Sequence, residues 1–293
     1  MDFNAVAAVR PKRVVSSRGG LGTGCGAASG EGEPVENSMV TIAQISDTHI
    51  LARSTEQPVG ESRAENLRRC VADINRLRPR PDVVVHTGDT VQHGQPEEYG
   101  HLRDILSDLE VPFYLIPGNR DCRDGLRAAF RDHAHLEAGG DFLHYAVEDY
   151  AVRLVGLDST APGERKGRFC EQRVAWLDAT LAEVPEKPTV LFIHHPPFDV
   201  GDHYVGGYRV PQEAEELASV VGRYPQVARL LCGHVHSPVE RRWAGTQATI
   251  MPSVAVDVRK GVDTAAANGW PIYHLHALSD AASLVSESRI VKD

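Results

Sequence analysis

Five apolar runs of this sequence end in clusters of histidine, aspartate and asparagine, and few folds can accommodate that feature. The runs are IAQISDTH, VVVHTGD, FYLIPGNRDC, TVLFIHHPP and RLLCGHVH. Runs such as VVVH and VLFIH lack alternation, which is typical of strands that are covered on both faces. Because ligands of α/β proteins collect at the carboxyl ends of strands, we expect the five polar clusters to form one site.

Predicted strands and amphipathic helices alternate along the chain from residue 40. Apolar residues at helical spacing predict helices over 61–77, 96–109, 171–184 and 211–224. Helical patterns end near residue 238, and further strands are predicted at 238–244, 246–253 and 271–278. The fold class is therefore α/β with β-rich C-terminal strands. The earlier strands are predicted at 40–46, 82–87, 112–117, 142–147, 151–157, 189–194 and 227–232.

Residues 1–38 differ from the rest of the chain. The stretch SSRGGLGTGCGAASGEGEP is rich in glycine and serine and has no periodic apolar pattern. Such a segment cannot bury enough surface to offset its ordering entropy, so we expect a disordered tail. A single domain is expected over 39–293, and its β-rich end from about residue 238 is a candidate cap or dimer edge in a homo-oligomer.

Charge and cysteine content narrow the classes of function. The net charge is −9, and no basic block follows the five motifs, which argues against binding to a nucleic-acid polymer. No apolar run is long enough to cross a bilayer, so no membrane partner is expected. The odd number of scattered cysteines predicts reduced thiols in a cytoplasmic protein. The cysteines are Cys25, Cys70, Cys122, Cys170 and Cys232.

The polar clusters have the composition of a metal site. Paired residues two positions apart in extended chain point the same way, because side chains alternate across a strand. Seven ligands of carboxylate, imidazole and amide type fit two borderline metals that share one carboxylate. A single structural zinc would need four ligands and would favour cysteine. The predicted ligands are Asp47, His49, Asp89, Asn119, His194, His234 and His236.

In order along the chain, the motifs DTH, GDT, GNRD, HHPP and GHVH resemble those of the calcineurin-like metallophosphoesterases. The resemblance covers residues 40 to about 253. The stretches GQPEEY, YLIPGN and FIHHPP are similar to the bacterial class III phosphodiesterases, which include glycerophosphodiesterases and cyclic-nucleotide phosphodiesterases. The resemblance implies a β-sandwich flanked by helices.

The resemblance also assigns the ligands to two transition metals, with Fe, Mn, Co and Zn all compatible with the donors. In this assignment Asp89 would be shared by the two metals, because a carboxylate has two oxygens to share. One metal would be bound by Asp47, His49, Asp89 and His236. The other would be bound by Asp89, Asn119, His194 and His234.

Arg120 departs from the family pattern, because most relatives have histidine there, in GNHD or GNHE. In those enzymes the histidine lies near the phosphate and can donate a proton to the leaving group. The arginine pKa exceeds ~12, so Arg120 cannot donate that proton, but its planar guanidinium can bind phosphate oxygens. We predict that Arg120 is a catalytic and substrate-binding residue. The alternative is an ion pair with Asp121 or Asp124 at the surface.

Other residues near the motifs have weaker predicted roles. The resemblance makes His194 the ligand of HHPP, which leaves His195 to support the site or to bind substrate. Asp158 is either a hydrogen-bond acceptor for a ligand or an ordinary strand-end cap. Ordinary structural roles are expected for His86, His93, His203 and His274.

The predicted function is hydrolysis of phosphodiesters by a metal-bridging hydroxide, with catalytic roles for Asp89, Asn119 and Arg120. The preference for diesters rests on the resemblance. A phosphomonoesterase of the same fold would carry the same ligands. A nuclease of this fold would need a basic groove, and a non-catalytic scaffold would be expected to have lost ligands.

The tail generates the first testable prediction. Deleting residues 1–38 should leave the melting temperature and the turnover within error, because no core contact is lost. Thermal unfolding and steady-state kinetics of the truncated and full-length chains measure this. A large fall in either quantity would mean that the segment packs on the domain.

Overall fold

The computed structural model describes residues 39–55, 62–137, 140–201, 207–262, 267, 269–278 and 284–292. The predicted tail lies outside these residues, so its disorder stays a prediction. Within the described ranges, no helix is both long and apolar enough to span a membrane.

The first sheet has five strands in the order β11-β10-β1-β2-β3. Its three strands β1, β2 and β3 run parallel, and β10 pairs antiparallel with β1. Parallel pairing places the carboxyl ends of β1, β2 and β3 at one edge of the sheet. The strands are β1 (Val40–Ile45), β2 (Val83–His86), β3 (Phe113–Leu115), β10 (Ile272–Leu278) and β11 (Leu284–Ile290).

The second sheet has six strands in the order β4-β5-β6-β7-β9-β8. Its strands β5, β6, β7 and β9 run parallel, so β6 and β7 also end at a common edge. The strands are β4 (Tyr145–Val147), β5 (Arg153–Leu157), β6 (Thr189–Ile193), β7 (Val227–Cys232), β8 (Val239–Trp243) and β9 (Thr246–Ile250).

In the described ranges, five α-helices connect the strands. Ser62 caps the first of them by accepting a hydrogen bond from the backbone N–H of Glu65. Helices α4 and α5 pack on the outer face of the second sheet, where Leu177 and Leu217 are buried. The helices are α1 (Arg63–Arg76), α2 (Pro96–Leu106), α3 (Arg123–Ala129), α4 (Glu171–Glu183) and α5 (Pro211–Gly222).

The central strands of the second sheet are buried on both faces. In β6, Val190 and Phe192 pack in the core between the two sheets, whereas Leu191 and Ile193 pack in the core beneath α4 and α5. All four side chains are fully buried, which explains why this strand has no polar alternation in the sequence. The predicted β-sandwich flanked by helices is confirmed.

Three elements differ from the sequence prediction. Helix α3 and strand β11 were not predicted, and each is short or largely exposed. The predicted strand 142–147 begins later, at Tyr145, because the N–H of Leu143 donates to the carboxylate of Asp158 rather than to a neighbouring strand.

The β-rich end of the chain completes both sheets. Strands β8 and β9 extend the second sheet, and β10 and β11 extend the first. Strand β8 and strand β11 each form an outer edge, so their free backbone groups could pair with another chain. A role as a cap or a dimer edge stays a prediction.

The core between the sheets generates a stability prediction. Replacing the fully buried Phe192 by alanine should lower the free energy of unfolding by about 3–5 kcal/mol, because it leaves a cavity beside Tyr145. The exposed Val285 offers a control, and Val285→Ala should change stability by less than ~0.5 kcal/mol. Urea unfolding measures both. A loss below ~1 kcal/mol for Phe192→Ala would contradict the described packing.

Candidate metal centre

The predicted ligands follow the carboxyl ends of three parallel strands of the first sheet and two parallel strands of the second, and they meet between the sheets. The loops after β1, β2 and β3 approach the loops after β6 and β7. An imidazole nitrogen of His236, which follows β7, lies 3.2 Å from a carboxylate oxygen of Asp47, which follows β1. One site is therefore built from both sheets, as the strand-end clusters predict.

The first cluster comprises Asp47, His49, Asp89 and His236, whose donor atoms lie within 4.8 Å of one another. The Nε2 atom of His49 lies 3.1 Å from Nε2 of His236. It also lies 3.9 Å from Oδ1 of Asp47 and 3.8 Å from Oδ2 of Asp89. Two imidazoles and two carboxylates thus converge on one point.

The second cluster comprises Asn119, His194 and His234, and it meets the first at Asp89. Nε2 of His194 lies 3.4 Å from Oδ1 of Asp89 and 3.3 Å from Oδ1 of Asn119. The donor atoms of His194, His195 and His234 lie within 4.8 Å of one another, so His195 also lies at this cluster. The two oxygens of Asp89 therefore face different clusters, Oδ1 the second and Oδ2 the first.

Backbone carbonyls fix the orientation of two histidines. Nδ1 of His194 lies 2.8 Å from the carbonyl oxygen of Thr87, and Nδ1 of His236 lies 3.0 Å from that of Val258. A carbonyl can only accept, so each Nδ1 carries the hydrogen and each Nε2 keeps its lone pair in the neutral ring. These lone pairs point at carboxylate oxygens, an arrangement that a cation between them stabilises.

The loops that carry the ligands are conformationally strained. In the described part of the chain, six non-glycine residues have positive φ, and five of the six are predicted ligands. L-residues rarely adopt this backbone region, and such strain persists only where the surroundings impose it. The five are Asp47 (52°), His49 (47°), Asp89 (51°), His234 (71°) and His236 (62°).

Two glycines allow the loops to approach closely. A Cβ atom on Gly118 would lie 2.3 Å from Oδ1 of Asp89, and one on Gly233 would lie 2.6 Å from Oδ2 of Asp47. Both distances are too short for any side chain at either position. The absence of a Cβ at these positions therefore lets the carboxylates lie against the backbone of the neighbouring loop.

The electrostatics of the site favour bound positive charge. Burial opposes ionisation of Asp47, but the neighbouring imidazoles, His236 foremost, outweigh it and hold the pKa of Asp47 well below its usual range. Burial likewise opposes ionisation of Asp89, whose pKa is nevertheless lowered, chiefly by His194. Burial alone would lower the pKa of His194, but Asp89 raises it to about 9. Burial lowers the pKa of His49 to about 4, which keeps that imidazole neutral.

Ionised carboxylates, imidazoles and an amide oxygen are the donors that borderline divalent metals accept, and a metal ion would take the place of the proton that Asp89 favours on His194. Together with the aligned Nε2 lone pairs, this donor set fits divalent metal ions. All seven predicted ligands lie in or beside the two clusters.

The structure places Arg120 beside the site, with its side chain partly exposed. Its backbone N–H donates to Oδ1 of Asp89 over 2.7 Å. Asp121 instead accepts hydrogen bonds from Thr90, and Asp124 lies 3.8 Å from Arg127. Among the residues that the structure describes, no carboxylate lies within ion-pair distance of the Arg120 guanidinium.

His195 is fully buried, and both of its ring nitrogens contact protein groups. Nδ1 lies 2.8 Å from the hydroxyl of Ser159, and Nε2 lies 3.1 Å from the carbonyl oxygen of Arg165. The ring centroid lies 4.8 Å from that of His194 and 4.5 Å from that of His234, so His195 packs against both predicted ligands. A contact with substrate stays a prediction.

The remaining predicted neighbours have structural contacts. Asp158 forms an ion pair with Arg123 and accepts from Thr160, which matches the strand-end cap. The ring of His86 contacts the hydroxyl of Thr48 at 2.9 Å and supports the ligand loops. His93 contacts Glu98, and His203 lies outside the described residues.

Sequence reasoning missed the role of Asp121. Its part-buried carboxylate accepts from the N–H and hydroxyl of Thr90 and from the N–H of Gly118 over 2.5–3.0 Å. It thereby joins the loop that carries Asp89 to the loop that carries Asn119. Its place as the last residue of GNRD indicated a role near the site. The sequence alone, however, did not distinguish a residue that joins two loops from a surface ion-pair partner of Arg120.

Comparisons with known proteins agree with this geometry. The sequence model of the calcineurin-like phosphoesterase family matches residues 40–238. The probable glycerophosphodiester phosphodiesterase GpdQ of Arcobacter nitrofigilis is 34% identical over 254 residues, which cover 85% of this chain and 93% of that protein. The 3',5'-cyclic adenosine monophosphate phosphodiesterase CpdA of Escherichia coli is 30% identical over 243 residues, covering 81% and 86% of the two chains.

Solved structures support the same fold. A dimetal phosphatase from Danio rerio superposes with a TM-score of 0.60 at 16% identity, covering 86% of this chain and 99% of that one. At this identity the likeness concerns the fold alone. The family model spans every predicted ligand and the curated relative matches most of the chain, and the chain belongs to the calcineurin-like phosphoesterase family.

Proposed function

We propose that the chain is a phosphodiesterase that uses two divalent transition metals to hydrolyse small phosphodiesters. The observation that carries the proposal is the position of Asp89, whose two carboxylate oxygens face different ligand clusters. A carboxylate in that position can hold two metal ions side by side. When bound, such ions act as Lewis acids toward phosphoryl oxygens and lower the pKa of water.

The chain's own residues would hold and orient these groups. Asp47, His49 and His236 would bind one ion, and Asn119, His194 and His234 the other, with Asp89 shared. The carbonyls that accept from His194 and His236 keep each Nε2 lone pair directed at the centre. A cavity of about 610 Å³ opens beside Asn119 and is lined in part by Arg123, Arg127 and Thr160. It offers room for one ester arm of a substrate.

The preference for diesters is supported by the curated relatives, whose names are glycerophosphodiester and cyclic-nucleotide phosphodiesterases. Glycerophosphodiesters and cyclic nucleotides are therefore the candidate substrates. A phosphomonoesterase would need the same metal ligands, so the diester assignment needs a direct test. A net charge of −9 argues against a nucleic-acid polymer as substrate. A scaffold that had lost catalysis would be expected to lack ligands, and here all seven are present.

The identity of the metals and the compartment belong to the same proposal. Iron, manganese, cobalt and zinc all suit these donors. A cytoplasmic location is supported by Cys70, Cys122, Cys170 and Cys232, which are free thiols. The exposed edge strands β8 and β11 are the candidates for contacts in a homo-oligomer.

The shared carboxylate generates a prediction about metal content and activity together. The wild-type chain should carry about two transition metals and hydrolyse bis-p-nitrophenyl phosphate faster than p-nitrophenyl phosphate. Cyclic AMP and glycerophosphodiesters complete the panel of substrates. Asp89→Ala should lose both metals and the activity, because both clusters lose their common ligand.

Elemental analysis and initial rates on the same preparations provide the measurement. A fully active enzyme with one tightly bound metal would exclude the dinuclear centre. A faster rate with the monoester would favour the phosphomonoesterase alternative.

Arg120 generates a further prediction. We propose that its guanidinium binds phosphate oxygens of the substrate, because it follows Asn119 directly and has no carboxylate partner in the described part of the chain. Removing one preorganised donor costs roughly 2.7–4 kcal/mol, or a factor of about 10²–10³ in rate. Arg120→Ala should show a loss of this size, and Arg120→Lys should recover only part of it because the planar fork is absent.

The exposed Arg242 on β8 is the matched control, and Arg242→Ala should leave the kinetics unchanged. Steady-state kinetics on the best diester measure all three variants. A wild-type rate with unchanged KM in Arg120→Ala would show that Arg120 does not bind the phosphate.

A further inference from the structure

Arg63, the first residue of α1, joins the segments that support the first metal cluster. Its Nε lies 3.1 and 3.0 Å from the two carboxylate oxygens of Asp257, and its Nη2 lies 2.7 Å from Oδ2. Its Nη1 donates to the backbone carbonyl of His49 over 3.2 Å and to the side-chain oxygen of Gln92 over 2.7 Å. One guanidinium therefore connects four parts of the chain: α1, the loop after β1, the loop after β2 and the turn at Val256–Val258.

The turn at Val256–Val258 orients His236. The carbonyl of Val258 accepts the hydrogen bond from Nδ1 of His236, and the N–H of Lys260 donates to the carbonyl of His236 over 2.9 Å. Asp257 lies directly before Val258. Fixing Asp257 therefore fixes the acceptor that sets the direction of the His236 lone pair.

His49 depends on the same arginine in another way. Its buried Nδ1 has no hydrogen-bond partner in the described structure, unlike Nδ1 of His194 and of His236. The orientation of the His49 ring is thus set by its backbone, which is strained at a φ of 47°. The hydrogen bond from Arg63 to the carbonyl of His49 holds that backbone.

The segment that precedes the turn at Val256–Val258 is also hydrogen-bonded to a ligand loop. The hydroxyl of Ser253 donates to the carbonyl of Asp47 over 2.7 Å, so the segment before the turn is already attached to the loop after β1. Arg63 holds the same segment at a second point, four residues further along the chain, through Asp257. The Arg63 side chain is only 13% exposed, which limits competition by water for these hydrogen bonds.

We propose that the Arg63–Asp257 pair is a positioning device that selectively sets the affinity of the first cluster for its metal ion. The inference rests on the proposed metal centre. In the described part of the chain, Arg63 contacts neither Arg120 nor the second cluster, where Thr87 orients His194. Loss of the pair should therefore lower the affinity of the first cluster for its metal ion and leave the affinity of the second cluster unchanged.

A second arginine–aspartate pair that also involves α1 provides a matched control. Arg289 on β11 forms a two-pronged ion pair with Asp73, which lies near the other end of α1. This pair ties α1 to the first sheet without contacting a ligand loop. Arg289→Met removes a comparable ion pair from the same helix.

The test measures metal retention without substrate. Wild type, Arg63→Met, Arg63→Lys, Asp257→Asn and Arg289→Met are titrated with a competing chelator, and the metal left per chain is measured by elemental analysis. Arg63→Met and Asp257→Asn should release one metal at a chelator concentration about 10–100-fold lower than wild type, as is typical for loss of an outer-shell partner. The second metal should be retained as in wild type. Arg63→Lys should fall between wild type and Arg63→Met, and Arg289→Met should match wild type.

The same titration in the Asn119→Ala variant identifies which cluster binds its metal ion more weakly. Asn119→Ala removes a ligand of the second cluster only, so the metal that it retains should be the one that Arg63→Met then releases. Retention of both metals by Arg63→Met at wild-type chelator concentrations would overturn the inference, and so would equal weakening of both. If Arg63→Met does not fold, Asp257→Asn provides the same comparison. A wild-type chain with two metals and no diesterase activity would overturn the proposed function alone.

Discussion

The carboxylate of Asp89 is the interaction on which the rest of the site depends. It is almost fully buried, and a buried charge is costly unless it is paired. The imidazole of His194, the amide N–H of Arg120 and the imidazole of His49 surround its two oxygens. These partners come from loops of both sheets, so the position of one carboxylate ties the two halves of the sandwich together at the site.

The same carboxylate explains the unusual backbone around it. The loops must bring charged and ring-bearing side chains within a few ångströms of each other, and ordinary extended backbone does not allow this. Five of the predicted ligands therefore have positive φ, and Gly118 and Gly233 lie where any Cβ would collide with a carboxylate. The free energy spent on strain here is offset by the two hydrophobic cores, in which strands such as β6 are buried on both faces.

The sequence predicted the elements that carry strong local signals. The apolar runs before Asp47 and His194 predicted strands, and their polar ends predicted a common site, because parallel strands end at the same edge. Strand β11 has too few apolar residues to be recognised, since its pairing with β10 supplies the stability that its own composition lacks. The contacts of Arg63 and Asp121 also could not be predicted from the sequence. Both join loops that are distant along the chain, and no spacing rule connects Arg63 to Asp257.

The distance between the ligands along the chain has a consequence for how the molecule assembles. The backbone N–H of His234 donates to the carboxylate of Asp47, 187 residues away, and the two residues follow strands of different sheets. Contacts of such long range form only after the intervening chain has closed a large loop. The complete set of predicted ligands therefore exists only when both sheets have docked. Bound ions would then oppose separation of the sheets by mass action, adding about 2.7 kcal/mol for each site whose free ion is at 100 times its dissociation constant. The supply of metal in the growth medium would thus influence how much of the newly made chain persists in the folded state.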